Sequence, residues 1–287
     1  MTARLELRTC KAATVREIAL ADASGVRWVP DRPSGVGALV LAGSSGRVDS
    51  ARARLLAQHG VVAESIRWFG GADQHDGPWE IPLELFIERA AALKVTCSGV
   101  LLLGTSFGAE AALLAGAHSP HVDGVVAFAP SDVVWAGVTA DDRVTSHWTL
   151  AGKALPFVPF VSSWVPTQEP PAFVELYRKS RAQFAEQVPA AEIPAERIPQ
   201  VMVVAGGDDQ VWPSLDHAES IRQRRAAHGL DTIVVTDPEA GHRAILPGEP
   251  EVTGGMAMRR GGTTAADRRL GRLAWQALTT SGWLLGP

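Results

Sequence analysis

The feature that most constrains this 287-residue chain is a repeated alternation of short apolar runs with longer stretches of helical spacing. "GALVLAG" (37–43), "VVAESIRWF" (61–69), "GVLLLG" (99–104), "VDGVVAFAP" (122–130), "QVMVVAG" (200–206) and "DTIVVTD" (231–237) read as strands. Between them, "RVDSARARLLAQHG" (47–60), "IPLELFIERAAALK" (81–94), residues 107–118 and "SLDHAESIRQRRAAHG" (214–229) read as helices. The final stretch, "TTAADRRLGRLAWQALTTSGWLL" (263–285), reads as a last helix. Strands joined by helices cannot be hairpin partners, so the pattern predicts an α/β protein with a mostly parallel central sheet covered on both faces. Residues 4–30 alternate more like antiparallel strands leading into that sheet.

The rhythm fails between about residues 136 and 198. This stretch holds prolines at 156, 159, 166, 170, 171, 189 and 194, with Trp148, Phe157, Phe160 and Trp164 among them. An insertion of this length within an α/β unit is functional or disordered, and its aromatic content argues for order. It is expected to cap the C-terminal edge of the sheet in a single domain spanning 1–287, where open α/β folds place their ligands. Trp135, Trp148, Phe157, Phe160 and Trp164 are the candidate lining of a substrate pocket.

Hydrophobic residues are 46% and charged residues 20% of the chain, a globular composition. A net charge of -4 without a Lys/Arg cluster argues against nucleic acid as a partner. No apolar run is long enough to span a bilayer, and the first fifteen residues lack the apolar segment of a signal peptide. The expected location is the cytoplasm, with Cys10 and Cys97 as reduced thiols. No His or Cys spacing suggests a metal, and no cofactor is expected.

The chemistry is concentrated at Gly104-Thr105-Ser106-Phe107-Gly108, where a strand passes directly into a helix. Two glycines let neighbouring backbone approach, so a serine between them can hold an unfavourable conformation with its Oγ exposed at the sheet edge. A serine hydroxyl needs an adjacent base, itself oriented by an acid. Asp208 and Asp209 follow the strand at 200–206, and His242 follows the strand at 231–237. The order serine, acid, base along the chain is the order such a sheet requires. An oxyanion would be held by the amide of Phe107 and by one from "LAGSSGR", at Ser44 or Ser45. That Gly-Ser-Ser-Gly turn lacks the ending of a phosphate-binding loop. Glu110, one turn beyond Ser106, is a candidate polar partner behind the site, whereas Asp132 reads as a turn aspartate.

Together "GTSFGAEAAL", "VVAFAPSDVVWAG", "SHWTLAGKALP", "GGDDQVWPS", "AGHRAILP" and the "GGT…W" ending resemble the α/β-hydrolase domain shared by acyl-CoA thioesterases and bile acid-CoA:amino acid N-acyltransferases, a relative of the dienelactone hydrolases. The resemblance spans roughly residues 20–285 and implies an α/β-hydrolase fold. It implies Ser106 as nucleophile, His242 as base and Asp209 as acid, the second aspartate standing four residues before Pro213. Two departures matter. The animal members carry a β-rich domain ahead of the hydrolase domain, for which a serine at 106 leaves no room. The N-acyltransferases use cysteine as nucleophile, and serine here tilts the expectation from transfer toward hydrolysis.

The resemblance therefore implies a serine hydrolase acting on a small-molecule acyl thioester, with Arg47, Arg143 and Arg243 as candidates for coenzyme A phosphates. A carboxylesterase or lactone hydrolase, an acyltransferase to an amine, and a catalytically silent ligand-binding protein are the alternatives. Neither composition nor pattern sets the oligomeric state.

Overall fold

The computed structural model describes residues 13–285 apart from 73 and 253. Cys10 and the first part of the expected antiparallel segment lie outside the described residues. Eight strands form one sheet: β1 (Val15–Ala19), β2 (Gly25–Pro30), β3 (Val36–Leu41), β4 (Val62–Ile66), β5 (Gly99–Thr105), β6 (Gly124–Phe128), β7 (Gln200–Gly206) and β8 (Ile233–Asp237). Their spatial order is β1-β2-β4-β3-β5-β6-β7-β8. β1 and β2 pair antiparallel, β2 pairs antiparallel with β4, and every later pair is parallel.

The strand side chains alternate between two cores, as a period of two requires. Leu39, Leu41, Leu102, Val125 and Val203 face one layer, built from α2 (Glu84–Lys94), α3 (Phe107–His118) and α5 (Ser214–Ala227). Ala38, Val40, Leu103, Val126 and Val204 face the other, built from α1 (Ser50–Ala57) and α6 (Thr264–Thr280). Central strands covered on both faces read as continuous apolar runs, which is why β3, β5, β6 and β7 stand out in the sequence. α3 is buried from Gly108 to Gly116, so its alanine-rich composition fits a helix enclosed all round.

One charged pair is buried between the sheet and α2. Glu64 on β4 is fully buried and accepts from Arg89 Nε (3.0 Å) and Nη2 (2.7 Å) of α2. No helix among the described residues is long and apolar enough to cross a membrane.

The proline-rich stretch is ordered into short pieces. Ala136–Val138 pairs with Val144–Ser146, and Trp148–Leu150 pairs with Lys153–Ala154 and with Ile81–Pro82. α4 (Val174–Gln183) follows. These pieces form a third core in which Trp135, Val158, Tyr177 and Ala191 pack with Trp212, and Phe107 packs against it. The stretch is thereby seated over the start of α3, at the C-terminal ends of β5 and β7.

Candidate active site

Ser106 joins β5 to α3 with φ 59° and ψ −125°. Non-glycine residues rarely hold positive φ, and the conformation costs about 1–3 kcal/mol. The neighbours enforce it. Ser106 N donates to Phe128 O of β6 (2.9 Å), and Ser106 O accepts from Ala109 N (2.8 Å) at the start of α3. A Cβ on Gly104 would stand 1.9 Å from Gly108 O, and one on Gly108 would stand 2.3 Å from Ala42 O. The two glycines therefore serve close backbone approach: strand, helix and the end of β3 meet where side chains would not fit.

The loops after β7 and β8 bring an acid and a base together. His242 Nδ1 is 2.8 Å from Asp209 Oδ2. Asp209 is further held by Val211 N (2.8 Å) and Trp212 N (3.3 Å) on Oδ1 and by the Ser214 hydroxyl on Oδ2. So many donors fix the carboxylate's position, which in turn sets the ring orientation of His242. Asp208 is exposed, turned to Gly262 N and Gln210 Nε2 instead.

Ser106 and His242 line one cavity of about 1050 Å³, together with Phe107, Ser44 and Ser45. Phe107 is the first residue of α3, and a Gly46 N to Gly43 O bond of 2.9 Å turns the chain at Ser44 and Ser45. The structure thus brings all five of these candidates to one place.

The expected pocket aromatics need correction. Phe160 lines the cavity. Trp148 is fully buried against Trp68 and Phe86, and Trp135 is fully buried against Phe160 and Tyr177. Phe157 packs on the main core, and Trp164 borders a separate hollow of about 400 Å³ beside Phe173. Aromatic residues signal burial of some kind, and here Trp135 and Trp148 bury fully against protein while Phe157 and Trp164 stay half-buried away from the cavity.

Three polar readings also change or sharpen. Glu110 is fully buried, and its Oε1 accepts from Trp135 N (3.1 Å) and Trp148 Nε1 (2.7 Å). Asp132 is no turn residue but a buried carboxylate, paired with His217 and bidentate with Arg181 of α4 (2.9 and 2.8 Å). Burial would raise its pKa, yet His217 and Arg181 outweigh that and hold it at about 2. Arg143 pairs with Glu80 at the surface and does not reach the cavity.

Arg47 and Arg243 do line the cavity, joined by Arg260, which the sequence reading passed over. None of the three forms an ion pair among the described residues. Arg243 and Arg260 are oriented by backbone carbonyls at Gly254 (2.9 Å) and Met256 (2.8 Å). Burial, with the charges of Arg260 and Arg47, pulls the pKa of Arg243 down to about 10, so it remains a cation at neutral pH.

A model of the family described as BAAT / Acyl-CoA thioester hydrolase C terminal matches residues 86–279, which include Ser106, Asp209 and His242. The chain belongs to this family. A curated relative, acyl-coenzyme A thioesterase 6 of Homo sapiens, is 26% identical over 275 residues, covering 88% of this chain. The chain spans 60% of that relative's length. Among solved structures, a protein assigned to the dienelactone hydrolases of Klebsiella pneumoniae superposes with a TM-score of 0.53 at 16% identity, covering 95% of this chain and 98% of the other. Brefeldin A esterase, a bacterial homologue of human hormone-sensitive lipase, gives 0.51 at 15% identity over 99% and 80% of the two chains. These likenesses establish the α/β-hydrolase fold.

Proposed function

We propose that this protein is a serine thioesterase that cleaves acyl thioesters through an acyl-enzyme at Ser106. The reading rests above all on the 2.8 Å contact between His242 and Asp209 in a cavity that Ser106 shares. His242 Nε2 takes the proton of Ser106 Oγ as it attacks the acyl carbonyl, and returns it to the leaving thiolate. Asp209 holds the proton on Nδ1 and stabilises the imidazolium. The amides of Phe107 and of Ser44 or Ser45 receive the developing oxyanion, and water then releases the acid.

Two features favour a thioester with an anionic leaving group, as in coenzyme A. Arg47, Arg243 and Arg260 line the cavity without ion-pair partners among the described residues. The wall drawn from residues 136–177 is largely apolar, with Ala136, Val138, Phe160 and Leu176 in it, which suits an acyl chain. In this reading residues 136–198 act as a cap over a single α/β domain.

The test is fluorophosphonate labelling with hydrolysis of an acyl-CoA and the p-nitrophenyl ester of the same acid. Wild type is expected to label at Ser106 and to prefer the thioester, and Ser106→Ala to lose at least about 10³-fold in kcat. Ester turnover alone would make the protein a carboxylesterase. Absence of both label and turnover would leave a ligand-binding protein.

A further inference from the structure

The largely apolar wall that residues 136–177 give the cavity carries polar atoms at His147 and Tyr177. His147 lies just before the short strand Trp148–Leu150 and is 3% exposed. Its ring packs edge-on against Phe107, 4.0 Å between centroids, which places it beside the residue that follows Ser106. Its Nδ1 is buried without a hydrogen-bond partner, 3.9 Å from Glu110 Oε1. At that distance there is no hydrogen bond, but the nearby carboxylate favours the tautomer with its hydrogen on Nδ1, which leaves Nε2 as an acceptor.

Tyr177, on α4, is clamped between Trp135 (4.8 Å) and Trp212 (5.5 Å) and lines the same cavity. Its hydroxyl makes no hydrogen bond among the described residues. Burial, with the charges of Glu110 and Asp209, pushes its pKa up, so the hydroxyl stays a donor. Glu110 therefore sits within electrostatic reach of both side chains.

An acceptor and a donor without protein partners among the described residues, set into an apolar wall of the cavity that Ser106 lines, suit a hydroxyl. We infer that His147 and Tyr177 form a subsite for a hydroxyl on the acyl chain near the scissile carbonyl, and that the substrate class is a hydroxyacyl thioester or ester. His147 Nε2 accepts the hydroxyl hydrogen and Tyr177 donates to its oxygen. A plain hydrocarbon chain would desolvate both atoms and satisfy neither. The inference rests on the acyl-enzyme reading above and deepens it by assigning the acyl group.

The experiment compares butyryl with 2-, 3- and 4-hydroxybutyryl N-acetylcysteamine thioesters, using wild type, His147→Phe and Tyr177→Phe. At least one hydroxyacyl substrate should exceed butyryl by about tenfold or more in kcat/KM, because a site with a buried polar group rejects the analogue lacking its partner. Each variant should bring that ratio close to one while leaving butyryl turnover within about threefold of wild type. A wild-type ratio near one, or a preference that survives in both variants, overturns the subsite. So does a wild type that labels at Ser106 yet turns over none of the four. Absence of label at Ser106 instead defeats the acyl-enzyme reading on which the subsite stands.

Discussion

Ser106 is held at φ 59° by contacts that leave no space for alternatives. Gly104 is the most constrained of its neighbours, since any Cβ there would meet Gly108 O at 1.9 Å. Backbone cannot yield as a flexible side chain does, so Gly104→Ala should cost at least about 2 kcal/mol of stability. It should also lower kcat more than KM, because β5 and α3 must part and carry the serine with them. Urea denaturation and steady-state kinetics on one preparation check both. An unchanged urea midpoint would mean the turn is looser than its geometry implies. The glycines, Ser106, Asp209 and His242 were legible in the sequence because they stand at or shortly beyond strand ends, and continuous apolar runs mark those ends well. His147, Tyr177 and Arg260 were not. His147 and Arg260 lie on irregular pieces where no periodicity says which way a side chain points, and Tyr177 lies on α4 inside the stretch where the strand and helix rhythm fails.

Between elements, the decisive contact is Asp132 with Arg181 and His217. Asp132 follows β6, Arg181 is on α4 and His217 on α5, so one carboxylate joins the inserted stretch to the main α/β layers. Its pKa of about 2 lies below the ordinary carboxylate value, and the pairing is therefore fully present above about pH 4. It is lost as the pH falls through about 2. A shift of this size is worth about 2 kcal/mol. Asp132→Asn should accordingly destabilise the fold by about 2 kcal/mol or more near neutrality, and the gap to wild type should close between pH 4 and pH 2. Denaturation midpoints of the two proteins across that range check it, and a pH-independent gap would assign the loss to packing. The sequence placed Asp132 in a turn because the residues that make it a hub lie 49 and 85 positions away. The same distance effect hid the aromatic partners of Trp135 and Trp148. The sheet, whose information is local, was read almost strand for strand.

At the scale of the molecule, the charge distribution is the informative property. The chain carries a net charge of -4, yet Arg47, Arg243 and Arg260 share a cavity without ion-pair partners among the described residues. Arg52, which lines the same cavity, shows the contrast: it is bidentate with Glu249 (2.7 and 3.0 Å) and also donates to Thr105 (3.0 Å), so its charge is spent on joining α1 to the loop beyond His242. Burial, and then the charges of Arg260 and Arg47, lower the pKa of Arg243 against the opposing charge of Asp267, and a bound polyanion would favour its cationic form. Removing two of the three arginines should then weaken binding of a polyanionic leaving group without touching the chemistry at Ser106. For Arg243→Gln with Arg260→Gln, the expected outcome is a rise of about tenfold or more in KM for an acyl-CoA, about 1.4 kcal/mol, with kcat retained. The N-acetylcysteamine thioester of the same acid lacks phosphates and should show no change. Added salt should raise KM for the acyl-CoA in wild type and do so less in the double variant, since exposed charge is screened within about 10 Å at 0.1 M. Equal effects on both thioesters would mean that the arginines support the loop behind His242 and leave the anion to be recognised elsewhere.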